Sequence, residues 1–165
     1  MIVADSPNFE TKGWTVHAWH YADQNVTVLQ REPFRLAWCG TRLVMFVYII
    51  RRTPRDYQSV LDDYTALRSF AGTHKQTILP FGLQCGYALL PLYVGQDFSE
   101  QLIAEVRTTY TKRWCVLHIP SLLGSNTGRL HTLKTRSVWG CVYRNFIDAT
   151  VMDTAVTLTG SRSLS

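Results

Sequence analysis

Arg51, Arg52 and Arg55, interleaved with Thr53 and Pro54, form the densest run of like charge in the chain. Guanidinium groups make planar, two-point contacts with carboxylates and phosphates, so the chemistry open to this run is holding an anion. Its position adds to the reading. Leu43 to Ile50 is a stretch of apolar, largely β-branched and aromatic residues, and the arginines begin where it ends. Thr53 then offers a capping hydroxyl and Pro54 a first helical position. Charge and the N–H groups of a helix start therefore meet at the rim of a sheet, where open α/β sheets bind their ligands. No G-x-G-x-x-G or G-x-x-x-x-G-K-[ST] loop accompanies it. Successive strand residues face opposite ways, so at most one of Arg51 and Arg52 points with Arg55. Arg51, Arg52, Thr53 and Arg55 are the expected ligand-binding residues.

Catalytic chemistry has thinner support. Cys85 sits between Gln84 and Gly86. A thiolate nucleophile there needs a base and open backbone N–H donors. His118 and His131 are the candidate bases, with His74 a third. A buried thiol in a tight turn accounts for Cys85 more simply. His17 and His20 fall on opposite faces of a strand and do not form a metal pair. Asp62 and Asp63 are adjacent, so on a helix they diverge by about 100° and make a poor acid–base pair. No H-E-x-x-H or G-x-S-x-G pattern occurs. Neither a metal nor a cofactor is expected.

These residues need elements to hold them. Trp14 to Trp19 and Val26 to Gln30 alternate as strands around turn residues, with Phe34 to Cys39 a third candidate and Leu43 to Ile50 a central strand covered on both faces. Tyr57, Val60, Leu61, Tyr64, Leu67 and Ala71 make one helical stripe, starting at Thr53-Pro54 and stopping near Gly72. Tyr87 to Val94 is a strand, and Pro91 within it favours an edge or a bulge. A second helix starts at Asp97 or Ser99 and closes at Lys112 and Arg113. Trp114 to Ile119 is the next strand. A hairpin then turns at residues 124–128, and a third helix starts at Ser137, its inner face including Trp139, Val142 and Phe146. The order is ββββ-α-β-α-ββ-α. It predicts an α/β fold at the α+β border: a mixed, mostly antiparallel sheet of about six or seven strands under three helices. The expected core is Val44, Phe46, Tyr48, Ile50, Leu61, Tyr64, Leu67, Leu90, Leu92, Val94, Leu102, Val106, Val116, Trp139, Val142 and Phe146.

Length and charge set the frame. One domain is expected over residues 1–165, with 1–12 and 157–165 as flexible ends. Hydrophobic residues make up 46% and charged residues 18%, which excludes disorder and coiled coil. The net charge is +5, and 13 of the 17 basic residues are arginine. The excess lies at the two ends of the sequence, without the dense basic stripe of a dedicated nucleic-acid binder. Cys39, Cys85, Cys115 and Cys141 form no C-x-x-C pair and read as buried thiols in a reducing cytoplasm. Residues 76–96 carry no charge over 21 positions, long enough for a membrane helix, but Pro80, Pro91 and three glycines break such a helix. The expected function is a non-enzymatic binding module. Its partners would be a protein, a second copy of the chain or a small anion. A small hydrolase or transferase acting on an anionic substrate is the alternative, and weak nucleic-acid binding ranks behind it.

Overall fold

The computed structural model describes residues 9–33, 42–75, 85–113, 116–134 and 141–160. Within them the chain forms a short 3-10 turn (Glu10–Lys12), β1 (Thr15–Tyr21), β2 (Gln24–Arg31), β3 (Arg42–Ile50), α1 (Tyr57–His74), β4 (Cys85–Gly95), α2 (Glu100–Thr108), β5 (Thr111–Arg113), β6 (Val116–His118), β7 (Ser121–Gly124), β8 (Leu130–His131) and α3 (Cys141–Gly160). One mixed sheet holds all eight strands. Its order is β1-β2-β3-β4-β6-β5, with β7 also on β4 and β8 on β7. The β1–β2, β2–β3, β5–β6 and β7–β8 pairings are antiparallel, while β3–β4, β4–β6 and β4–β7 are parallel.

The parallel core follows from the two helical connections, since a parallel neighbour needs a crossover. α1 and α2 cover one face, as successive crossovers of one hand require. Val44, Phe46, Tyr48 and Ile50 of β3 point to that face and meet Val60, Tyr64, Leu67 and Val106. Leu43, Met45, Val47 and Ile49 point the other way, against Phe9, Trp14, Ile147, Val151 and Ala155. This double coverage is why β3 reads as an unbroken apolar run. The 3-10 turn is fixed to α3 on that second face: Lys12 Nζ lies 3.0 Å from Asp153 Oδ1 and donates to Thr157 Oγ1 at 2.9 Å.

β6 and β7 occupy one position beside β4. Tyr87 pairs with Val116 and Leu92 with Ser121, a constant offset, so Pro91 and Pro120 stand level on neighbouring strands. Ile119 N donates to Leu89 O at 3.0 Å, and the return bond from residue 91 is missing because proline has no N–H. Pro91 therefore sits in the middle of the sheet and interrupts one ladder there, instead of marking an edge.

Other boundaries differ from expectation for local reasons. α1 starts later than Thr53-Pro54: Asp56 is its cap and accepts from Ser59 N at 2.8 Å. α2 is capped by Ser99 and ends at Thr108, so Lys112 and Arg113 belong to β5. α3 continues through Gly160, with Thr157 and Thr159 hydroxyls returned to carbonyls one turn back. Residues 10–12 lie in the 3-10 turn and residues 157–160 in α3. Leu61, Val94 and Phe146 are only partly buried, whereas the other expected core residues of β3, β4, α1, α2 and β6 are buried. The strand expected at Phe34 to Cys39, the Ser137 cap, Trp139 and the Val142 side chain lie outside the described residues.

Candidate functional site

β3, β4 and β7 run parallel and end together, with Ile50 level with Tyr93 and Gly95 level with Gly124. Beyond their C-terminal ends lies a cleft of about 370 Å³ lined by Arg51, Arg52, Thr53, Val94, Gly95, Gln96 and Ser125. Its walls are two turns clamped to one another. Thr53 Oγ1 donates to Gln96 O at 3.0 Å, and Gln96 N donates back to Thr53 Oγ1 at 3.1 Å. Ser125 N donates to Gly95 O at 2.8 Å and brings in the third strand. Gly95 is required at this point, because a Cβ there would collide with the Thr53 side chain and crowd the Arg52 carbonyl.

The two arginines play different parts. Arg51 is exposed and makes no hydrogen bond or ion pair among the described residues. Arg52 turns toward α1 and forms a short ion pair with Asp63, a carboxylate whose side chain is only 3% exposed. Asp63 also accepts from Tyr21 Oη at 2.8 Å and Tyr93 Oη at 2.6 Å. The Arg52 guanidinium lies 5.8 Å from the centre of the Tyr93 ring. One carboxylate on α1 thus collects groups from β1, β4 and the turn after β3. Burial draws the Arg52 pKa down, but the attraction of Asp63 outweighs it and the net shift is upward. Burial and the hydrogen bond to Asp63 push the Tyr21 hydroxyl up to about 12.

Arg51, Arg52 and Thr53 all line this cleft, and Arg55 is not among the lining residues. Nor does the start of α1 offer open donors in the expected way. The Asp56 carboxylate occupies it, held below the ordinary carboxylate range by the Ser59 N–H and hydroxyl and by nearby Arg55. Sequence reasoning weighed Asp63 only as a poor pair with Asp62. The available signal was its place in the stripe Val60, Tyr64, Leu67, which puts a carboxylate on the buried face of α1.

The candidate catalytic residues are scattered. Cys85 opens β4, four residues before Leu89, the partner of His118. Four residues of strand separate the two backbone positions by about 13 Å. His118 is fully buried on β6, with its ring 5.2 Å from Tyr64 and no hydrogen-bond partner for either ring nitrogen among the described residues. Burial lowers its pKa to about 4, against which the pull of Asp63 is small. His131 accepts from Arg107 at 2.9 Å through Nδ1, and its pKa is lowered by burial and then by Arg107 and Arg129. His17 and His20 leave opposite faces of β1. His17 bonds Gln30 Oε1 at 2.7 Å and His20 lies 3.3 Å from Asn25 Oδ1. Among the described residues no group of three or more His, Cys, Asp or Glu side chains could hold a metal ion, and no helix is long and apolar enough to cross a membrane. Comparison with protein-family models, with curated proteins and with solved structures finds no match.

Proposed function

We propose that the protein is a binding module that takes a small anionic ligand in the cleft beyond β3, β4 and β7. The observation that carries this reading is Arg51, a guanidinium unpaired among the described residues, beside a cleft at the C-terminal ends of parallel strands. A guanidinium with no internal partner is available for a charge-assisted contact with a phosphate or carboxylate. Arg52, its charge balanced by Asp63, fixes the wall of the cleft and leaves Arg51 to meet the ligand. The lining residues include no histidine, cysteine or carboxylate, and Cys85, His118 and His131 are not gathered beside them. Binding is therefore favoured over hydrolysis or group transfer.

Inorganic phosphate, sulfate and a short oligonucleotide can be titrated by calorimetry at low salt against wild type and Arg51→Ala. The expected outcome is a loss of about tenfold in anion affinity in the variant, the lower end for a charged hydrogen bond because Arg51 is exposed. Thermal melts should coincide, since Arg51 makes no hydrogen bond or ion pair among the described residues. Equal, weak binding by the two proteins would falsify the site. Tight, steeply salt-dependent binding of the oligonucleotide alone would point to nucleic acid instead.

A further inference from the structure

We infer that the outer edge of β1 is a self-pairing surface, through which two copies of this chain join antiparallel and fuse their sheets. The proposal stands apart from the cleft and rests on backbone parity, register and charge.

Parity comes first. Leu43 N donates to Pro33 O at 3.3 Å, on the same register that pairs Arg31 with Met45. Odd-numbered residues of β2 thus direct their backbone groups to β3, and even-numbered ones direct theirs to β1. Their β1 partners are odd: Thr15 opposite Gln30, His17 opposite Val28, Trp19 opposite Val26 and Tyr21 opposite Gln24. The two-residue hairpin at Ala22-Asp23 requires the same pattern, because Tyr21 and Gln24 flank it as a hydrogen-bonded pair. Val16, Ala18 and His20 therefore aim their N–H and C=O groups away from the sheet. Among the described residues no strand pairs with that edge.

Register follows. A two-fold axis through Ala18 places Ala18 opposite Ala18 of the second copy, and Val16 opposite His20 of the second copy in both directions. All three are hydrogen-bonded pairs, so every outward group finds a partner. On the α1 face His17 comes opposite Trp19 of the second copy, and no histidine faces a histidine.

Charge makes this edge unlike the sheet's other borders. β5 has three residues, two of them Lys112 and Arg113, and β8 has two. Short or charged edges resist further pairing. β1 has seven residues, and no Asp, Glu, Lys, Arg or Pro occurs between Lys12 and Asp23. Ala18 and His20 are exposed, and a Trp19–Tyr21 stack with ring centres 4.7 Å apart stiffens the strand.

Sedimentation of the full chain tests the proposal. Wild type should show twice the chain mass at micromolar concentration. Ala18→Lys and Ala18→Glu each place like charges together at the axis, which should weaken self-association by about tenfold or more. An equimolar mixture of the two variants should recover the doubled mass as a heterodimer. Circular dichroism should be unchanged in both variants, since Ala18 is exposed and its backbone bonds point outward. A monomeric wild type, dimerisation undiminished in the variants, or a mixture that stays monomeric overturns the proposal, the first leaving the edge to a foreign strand.

Discussion

Asp63 joins the cleft to the core by holding Arg52, Tyr21 and Tyr93 at once. His118 lies under the same helix face and titrates in the opposite sense to a stabilising pair. Its folded pKa of about 4 is below the ordinary histidine value of 6.5, so between these limits the unfolded chain takes up a proton that the folded chain refuses. Stability then falls as pH drops through that window and levels off below it. The shift corresponds to about 3 kcal/mol lost by pH 4. In urea melts at pH 7 and pH 4, His118→Leu should gain that much relative to wild type as the pH falls. Parallel losses in the two proteins would show that His118 titrates alike in the folded and unfolded chain. At this scale the arginine junction was legible because an apolar run ends abruptly at Arg51. The role of Asp63 was not, because its neighbour Asp62 invited comparison as a pair when the helical stripe gave the better clue. The cap was misassigned because Thr53-Pro54 and Asp56 both carry start chemistry, and only the clamp from Thr53 to Gln96 decides between them.

Among the elements, the β1–β2 hairpin turns on Ala22 and Asp23, both in the left-handed region with φ of 49° and 58°. Two consecutive positive φ angles define the turn that matches strand twist, and asparagine followed by glycine suits it best. Alanine and aspartate are strained there. Replacing Ala22-Asp23 by Asn-Gly should raise stability by about 1 kcal/mol, read as a higher urea midpoint at unchanged slope. A lower midpoint would mean that these side chains contribute more than the backbone strain costs. The strands and helices themselves were legible from their periods. Their ends were less so: Lys112 and Arg113 resemble the basic close of a helix, yet α2 stops at Thr108 and the two residues pair along β6. Nothing in a lone sequence distinguishes a basic helix end from a basic edge strand when only two residues intervene.

Taken whole, the described residues form three layers, and the sheet separates two cores that share no side chain among them. Leu67→Ala on the α1 side should cost about 2–5 kcal/mol and Ile147→Val on the α3 side about 0.5–1.5 kcal/mol. Their sum should match the double variant within about 0.5 kcal/mol. A larger discrepancy in urea unfolding would mean that the sheet passes strain from one layer to the other. The same architecture bears on the newly made chain, before any layer exists. Tyr87 to Val94 and Val116 to Leu123 are uncharged apolar stretches of the kind that stack between unfolded molecules. Each carries a proline near its middle, Pro91 and Pro120, and the fold sets these level with one another. β3, equally apolar, has no proline but is bracketed by Arg42 and Arg51. The ladder bond missing beside Ile119 is thus the folded-state trace of a safeguard against aggregation during synthesis.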